Sequence, residues 1–307
     1  MGRSKPRPIM VLIVGLTGAG KTTFTRLASG RKDLKVGDGI DPCTQDPVAV
    51  RFDLDGRPVV LIDTPGFDDI SRTDVEILED IAKWLVKQGF SKRQPLDGMI
   101  LLYPILFDFD SSLEKRRTRI LQKILGKNAY RRVVVATTMW GSLINEKEVE
   151  QDIDMRWKQQ GGVWDEFRQG NALLTKHFNT EASAQRILRA VIKASDEAER
   201  AKVLIQEELG RKNIRFAETS LGEELECFLQ QDITVIHNLL LNHRDERPPE
   251  EYRTSNKLKE RKEWYRWDAE RQELTKNLEL RQKQLKRLNS FFFLKFKLLR
   301  FWSKLFS

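Results

Sequence analysis

One stretch constrains the fold of this chain more than any other: Gly15-Leu16-Thr17-Gly18-Ala19-Gly20-Lys21-Thr22, which has the form G-x-x-x-x-G-K-T. An apolar, strand-like run, 9–14, precedes it, and a helix-like segment, 21–29, overlaps its end. This is the context that a phosphate-binding loop needs, because the glycines let successive backbone N–H groups point at phosphate oxygens and the helix adds the positive end of its dipole. The sequence therefore predicts a nucleotide site formed by Gly15, Thr17, Gly18, Ala19, Gly20, Lys21, Thr22 and Thr23.

A second motif, Asp63-Thr64-Pro65-Gly66, follows another apolar strand. A carboxylate at this position can hold Mg²⁺ through a water, and the Gly66 N–H can approach a γ-phosphate because glycine has no side chain. Thr44 lies in a long loop, 31–46, where a threonine can complete the Mg²⁺ shell only when a γ-phosphate is present. We therefore predict Thr22, Thr44 and Asp63 as metal ligands, and Lys21, Thr44 and Gly66 as catalytic residues.

Strand and helix patterns alternate along the first two thirds of the chain. Predicted strands cover 9–14, 48–54, 58–62, 98–103, 132–137 and 171–177, and Asp55-Gly56 predicts a hairpin turn between the second and third. Predicted helices cover 21–29, 73–87, 145–160 and 181–193, with Gly30 as the C-cap of the first. A further basic helix is predicted to be capped by Ser111 or Ser112 and to end near Leu125-Gly126. This order predicts an α/β fold, a mostly parallel sheet with helices on both faces, and ligands bound at the carboxyl ends of the strands.

The loop at 15–22, Thr44, the run Asp63-Thr64-Pro65-Gly66-Phe67-Asp68 and Thr137-Thr138-Met139-Trp140 together resemble the septin-like branch of P-loop GTPases over about residues 9–193. That branch includes septins, immune-associated GTPases and chloroplast outer-envelope import GTPases. The chain is most similar to fungal G-domain proteins in which T-T-M-W follows the fifth strand. The resemblance implies a P-loop GTPase domain over 9–194, GTP or GDP with Mg²⁺ as cofactors, and self-association across the nucleotide face.

Two departures from the family pattern affect its chemistry. Where the family has N/T-K-x-D to read guanine, this chain has Thr138, Met139, Trp140 and Gly141, so the carboxylate is missing. Thr138 and Trp140 are still predicted to bind the nucleotide; Trp140 either stacks on the base or is a buried aromatic residue. Glu146, Asp152 or Asp154 could replace the missing acceptor.

The second departure is Phe67, which takes the place of the glutamine that orients the attacking water in Ras-like enzymes. Phenylalanine cannot hydrogen-bond to water, so slow hydrolysis, stimulated by self-association, is expected. Thr44, Gln45, Asp68 or a group from a second copy are candidates for orienting the water.

The composition of the last third is different, and long charged helices are predicted there. We expect a helix over 195–209 ended by Gly210, a second helix capped by Thr219 or Ser220, and a break at Pro248-Pro249. Apolar residues then repeat at spacings of three and four; this seam predicts either a dimerising coiled coil or a helix folded onto the GTPase domain. Its members are Trp264, Trp267, Arg271, Leu274, Leu278, Arg281, Leu285 and Leu288.

The tail, 291–307, is basic and aromatic and contains no acidic residue, which is typical of a helix that lies in an anionic membrane surface; docking on the protein's own surface is the alternative. The predicted organisation is thus a disordered basic lead-in, 1–8, a G domain, 9–194, a helical extension, 195–243, a charged helix or short coiled coil, 244–290, and this tail.

Charge and cysteine content limit the compartment and the partners. The 307 residues carry a formal net charge of +9, which favours an anionic partner, but no motif indicates a specific nucleic acid. Cys43 and Cys227 are too few for a disulfide framework, so a reducing, cytoplasmic location is expected, with peripheral membrane attachment through the tail.

Three functions are consistent with these features. The first is a Mg²⁺-dependent GTP-binding protein that hydrolyses GTP slowly and acts as a switch or assembles at a membrane. The second is a scaffold that binds nucleotide without turnover and associates through its C-terminal helices. The third is a nucleotide-binding protein of relaxed base choice, including ATP.

Overall fold

The structure is a computed structural model that describes residues 7–34, 47–66, 77–78, 80–82, 84–85, 95–106, 112–142, 145–197, 202–211 and 214–290. The chain divides into two compact units, Met1–Asn213 and Ile214–Ser307. The first contains the sheet and the glycine loop, and the second is helical.

The first unit is organised around a six-stranded sheet. Its strands are β1 (Ile9–Gly15), β2 (Val48–Leu54), β3 (Arg57–Asp63), β4 (Gly98–Pro104), β5 (Val133–Thr138) and β6 (Leu173–Lys176), in the spatial order β2-β3-β1-β4-β5-β6. All neighbours run parallel except β2, which pairs antiparallel with β3. The central strands β1, β4 and β5 are buried along their whole length, as expected for a sheet that is covered on both faces. The predicted mostly parallel α/β fold is confirmed.

The hairpin between β2 and β3 turns where the sequence predicts it. Asp55 has a φ of 52° and Gly56 a φ of 76°, so both lie in the left-handed region. A two-residue turn with two positive φ angles matches the twist of the flanking strands, and Asp-Gly tolerates it well. The prediction of a tight turn at these two residues is confirmed.

Helices connect the strands. They are α1 (Lys21–Ser29), α2 (Ser112–Leu125), α3 (Glu146–Lys158), α4 (Asp165–Gln169), α5 (Glu181–Glu197) and α6 (Leu204–Arg211), and the described residues among 77–85 are helical. Gly30 caps α1 in the left-handed region, with a φ of 68°, as predicted. The first residues of the predicted helix 73–87, 73–76, lie outside the described residues.

One prediction about the end of this unit differs from the structure. Residues 195–209 were expected to form one helix, but α5 continues through Glu197 and a new helix begins at Leu204, because buried Ser195 and Ile192 extend the packed face of α5. The disorder predicted for the lead-in, 1–8, stays a prediction, because residues 1–6 lie outside the described residues. Arg7 forms a bidentate ion pair with buried Asp97, at 2.6 and 3.0 Å.

The second unit is a helical hairpin. Helix α7 (Ser220–Asp245) starts at Thr219, whose hydroxyl accepts a hydrogen bond from the Gly222 N–H at 3.0 Å, and helix α8 (Leu258–Ser290) follows the predicted break at Pro248-Pro249. The two helices run antiparallel, since His243 near the end of α7 contacts Trp267 near the start of α8, while Asp232 pairs with Arg281 further along. The predicted cap and break are confirmed.

The predicted seam of α8 packs against α7 within this unit. Trp264, Trp267 and Leu288 are buried, and the Trp267 indole N–H donates to the His243 carbonyl at 2.8 Å. The seam is therefore used in an intramolecular hairpin, an arrangement that neither of our two interpretations anticipated.

The predicted tail, 291–307, lies outside the described residues. Within the described part of the chain no helix is long and apolar enough to cross a bilayer.

Candidate functional site

The segments that the sequence predicts to bind nucleotide all lie at the carboxyl ends of neighbouring strands. The glycine loop follows β1, Asp63 ends β3, and Thr138 ends β5. Because β1, β3, β4 and β5 run parallel, these ends meet at one edge of the sheet. In open α/β sheets this edge is where ligands bind.

The glycine loop has the backbone geometry of a hollow cradle. Gly18 and Gly20 have φ angles of 78° and 91°, in the left-handed region, and no atom lies within 4 Å of the position that a Cβ would occupy on either residue. Gly20 precedes α1 with no side chain capping it, so the first N–H groups of the helix face the loop. A hollow loop with open helix N–H groups is suited to hold phosphate oxygens.

Lys21 lies inside this cradle and is nearly fully buried. Its ammonium group donates hydrogen bonds to the carbonyl oxygens of Leu16 and Gly15, at 2.7 and 3.0 Å. Burial lowers the pKa of Lys21 to about 8, against the opposing effect of the nearby Asp63 charge. A buried cation held by two backbone carbonyls is available to neutralise a phosphate that enters the loop.

Thr22, on the first turn of α1, is in contact with Asp63 at the end of β3. The Thr22 hydroxyl donates to Asp63 Oδ2 at 2.7 Å, and the Asp63 side chain is buried at the end of β3. Two of the three predicted metal ligands are thus adjacent. Thr44, the third, lies outside the described residues.

The second motif is fixed against the glycine loop. The Thr64 hydroxyl donates to the Ile13 carbonyl of β1 at 2.7 Å, and a Cβ added to Gly66 would lie only 2.4 Å from Thr17 Oγ1. Only glycine permits this close approach of the two backbones. The predictions did not single out Thr64 as a site residue, although its position inside the Asp63–Gly66 motif was the available signal.

The loop after β5 is tied to the glycine loop and to β6. The Thr138 hydroxyl donates to the Ala19 carbonyl at 3.4 Å, and the Trp140 indole N–H donates to the Thr137 carbonyl at 3.0 Å. Trp140 is buried, and the Lys176 ammonium lies 4.2 Å from the centre of its ring. Trp140 is thus packed between β5 and Lys176, and its stacking on a nucleotide base stays a prediction.

Two of the three predicted substitutes for the missing base-reading carboxylate have partners within the described residues. Glu146 pairs with Lys176 at 3.3 Å, and Asp152 pairs with Arg156 at 2.8 Å. Gly141 has open space around its Cβ position. Gln45 and Asp68, two candidates for orienting the water, lie outside the described residues, and so does Phe67.

The remaining predicted residues complete the loop. Ala19 is buried and its N–H donates to the Leu16 carbonyl at 3.1 Å, while Thr23 lies half-buried on the first turn of α1. Together the hollow loop, the buried Lys21 cation and the adjacent Thr22 and Asp63 oxygens fit the phosphates of a nucleoside di- or triphosphate with Mg²⁺. Oxygen ligands are the ones that Mg²⁺ prefers.

Known proteins with similar sequences and structures are P-loop GTPases. Residues 10–138 match the family described as 50S ribosome-binding GTPase. The GTPase Der of Dinoroseobacter shibae is 26% identical over 198 residues, which are 63% of this chain and 36% of that protein. The GTPase Der of Vibrio vulnificus is 28% identical over 156 residues, 50% of this chain and 29% of that protein.

The matched region thus spans about a third of the length of these curated relatives. Among solved structures, Toc33 from Arabidopsis thaliana in complex with GDP and Mg²⁺ has a TM-score of 0.50 and 16% identity, covering 64% of this chain and 88% of that one. The fold is that of a P-loop GTPase domain followed by a helical C-terminal region.

Proposed function

We propose that this chain, whose first unit has the fold of a P-loop GTPase domain, binds GTP with Mg²⁺ and hydrolyses it slowly, as a switch or self-assembling GTPase at a membrane surface. The observation that carries the proposal is the hydrogen bond between Thr22 and Asp63, 2.7 Å long, beside the buried Lys21 cation. These are the groups that a Mg²⁺–triphosphate needs on its metal side and on its phosphate side.

Each residue has a defined task in this proposal. The loop N–H groups and Lys21 bind the phosphates and neutralise charge that develops on the leaving oxygen, while Thr22 and Asp63 hold Mg²⁺, which supplies further charge neutralisation when bound. The Gly66 N–H fixes the γ-phosphate. Slow turnover is proposed because Phe67 offers no group to orient water.

Titration calorimetry with GTP, ATP and a non-hydrolysable GTP analogue, combined with phosphate-release assays, tests the proposal. We expect binding of GTP and slow release of phosphate. Lys21→Ala should abolish measurable GTP binding while the fold, followed by circular dichroism, is retained. Wild-type affinity in Lys21→Ala would contradict the proposal, and binding without phosphate release would favour the non-hydrolysing scaffold.

A second candidate is a nucleotide-binding protein with relaxed base choice. The supporting observation is that Gly141 presents no carboxylate and that Glu146 is engaged with Lys176. A lost charged hydrogen bond reduces discrimination for guanine by roughly 1–3 kcal/mol. Comparable affinities for GDP and ADP in the calorimetry would favour this candidate over strict GTP specificity.

Self-association and membrane attachment are also proposals. Membership of the septin-like branch, stimulation of hydrolysis by dimerisation across the nucleotide face, and association through the C-terminal helices rest on the sequence resemblance. Sedimentation with GDP and with a non-hydrolysable GTP analogue tests for dimers, and we expect the analogue to favour them. A cytoplasmic location with peripheral membrane binding rests on the tail, 291–307.

A further inference from the structure

Thr17 is in direct contact with the backbone of the second phosphate motif. A Cβ on Gly66 would lie 2.4 Å from Thr17 Oγ1, 2.5 Å from its Cα and 2.6 Å from its N. Any side chain at residue 66 would therefore overlap both the main chain and the hydroxyl of Thr17. In the proposed function the Gly66 N–H meets the γ-phosphate, so the Thr17 hydroxyl lies beside the γ-phosphate position.

The neighbouring side chains of the loop have other tasks. Leu16 and Ala19 are apolar and buried, Lys21 is buried against backbone carbonyls, and Thr22 donates to Asp63. Thr17 is half-buried, so its side chain is within reach of water.

We propose that the Thr17 hydroxyl is the positioning group for the water that attacks the γ-phosphate. A hydroxyl offers one donor and two acceptor lone pairs, so it can accept a hydrogen bond from that water while it keeps a bond to a protein group. The water's own lone pair is then directed at phosphorus. This inference rests on the proposed function, and it assigns to the glycine loop the task that Phe67 cannot perform.

The reaction step is ordinary phosphoryl transfer to water. The water oxygen forms a bond to the γ-phosphorus while the bond from phosphorus to the β,γ-bridging oxygen breaks, and its electron pair leaves with GDP. The proton lost by the water is carried by the released phosphate. Thr17 neither gains nor loses a proton overall, so it acts only by orientation.

Thr17→Val tests this role, because valine keeps the branched shape and removes the hydroxyl. Single-turnover hydrolysis of bound GTP should slow on the order of 100-fold. The affinity for a non-hydrolysable GTP analogue, measured by calorimetry, should stay within about threefold. Thr17→Ser, which restores the hydroxyl, should recover hydrolysis to within a few-fold of wild type. Thr234→Val is the matched control: it makes the same change at an exposed position of α7, and this variant should hydrolyse GTP at the wild-type rate.

Several outcomes decide between the claims. Hydrolysis by Thr17→Val at the wild-type rate or faster overturns the inference, and so does failure of Thr17→Ser to recover the rate. Should Thr17→Val not fold, Thr17→Ala takes its place with the same expected loss of rate, and a wild-type rate in that variant overturns the inference. Wild-type protein that binds GTP without hydrolysing it overturns the role of Thr17 while nucleotide binding stands, whereas wild-type protein that does not bind GTP overturns the proposed function itself.

Discussion

Gly15 shows how one residue of the loop depends on its tertiary neighbours. It ends β1 with a φ of 154°, and an added Cβ would lie 2.5 Å from the Leu102 carbonyl oxygen of β4. Gly20 has a φ of 91°, but nothing lies within 4 Å of its Cβ position. Both glycines have a backbone conformation that a side chain would strain, but only Gly15 also lacks the space for a Cβ.

We expect Gly15→Ala to lower the free energy of unfolding of the first unit by several kcal/mol, roughly 3, because β1 and β4 must separate. Gly20→Ala is the matched control and should cost only about 1 kcal/mol, the strain of a left-handed alanine. Urea denaturation followed by circular dichroism measures both. If the two variants lost the same free energy of unfolding, the contact with Leu102 would not be the reason why residue 15 must be glycine.

The buried Lys21 predicts proton uptake on nucleotide binding. Burial lowers its pKa to about 8, so near pH 8 about half of the nucleotide-free molecules carry a neutral Lys21. Anionic phosphates favour the ammonium form, so binding should raise the pKa and take up about half a proton per site at that pH. Calorimetry in buffers of different ionisation enthalpy measures the uptake.

The uptake should vanish near pH 6.5, where Lys21 is protonated in both states, and in Lys21→Arg, which stays charged throughout. The same shift predicts that nucleotide-free protein gains stability between pH 8 and 10.5: over this range the unfolded chain holds a proton on Lys21 that the folded chain lacks. Proton uptake that is equal at pH 6.5 and pH 8 would contradict this account of Lys21.

At the scale of elements, helices α7 and α8 are joined by a reciprocal pair of hydrogen bonds. The Trp267 indole N–H donates to the His243 carbonyl at 2.8 Å, and His243 Nε2 bonds to the Trp267 carbonyl at 2.8 Å. The two rings also stack, with their centroids 5.3 Å apart. Because Trp267 is buried, losing its N–H leaves a carbonyl without a partner away from water.

Trp267→Phe should therefore destabilise the helical hairpin by roughly 1–3 kcal/mol, since the ring packing is partly kept and the hydrogen bond is lost. Hydrogen exchange of the amides near the end of α7 and the start of α8 is the measurement. Tyr265→Phe, which removes a polar group from an exposed ring on the same helix, should leave the exchange rates unchanged. Similar effects of the two substitutions would contradict a structural role for the indole N–H.

At the scale of the whole molecule, the basic tail predicts membrane binding. The run 291–307 contains no acidic residue, and its cationic and aromatic side chains suit an anionic headgroup layer. The 307-residue chain should float with liposomes that contain phosphatidylserine, and less so at high salt because electrostatic attraction is screened. A variant that ends at Ser290 should remain in the soluble fraction; equal flotation of the shortened chain would rule out the tail as the anchor.

The strands and the phosphate loop could be predicted because their signals are local. Continuous apolar runs marked β1, β4 and β5, Asp55-Gly56 marked the hairpin, and the spacing of glycines before Lys21 marked the cradle. These patterns arise from the spacing of apolar residues along the chain and from the backbone freedom of glycine. Both are properties of neighbouring residues, so they can be recognised without the tertiary structure. The helix boundary after Glu197 was missed because it depends on packing rather than on propensity.

What the sequence by itself determined is therefore the chemistry available to this protein: the glycine loop, a carboxylate behind a buried strand, and a base-reading position without an acid. Only the tertiary structure decided how these groups meet. In the folded chain the Lys176 ammonium lies over the ring of Trp140, Thr22 is hydrogen-bonded to Asp63, and Thr17 is in contact with Gly66. Each of these contacts joins residues of different segments that are far apart in the sequence, so no local pattern encodes it. The parallel sheet creates them by bringing the ends of its strands to one edge.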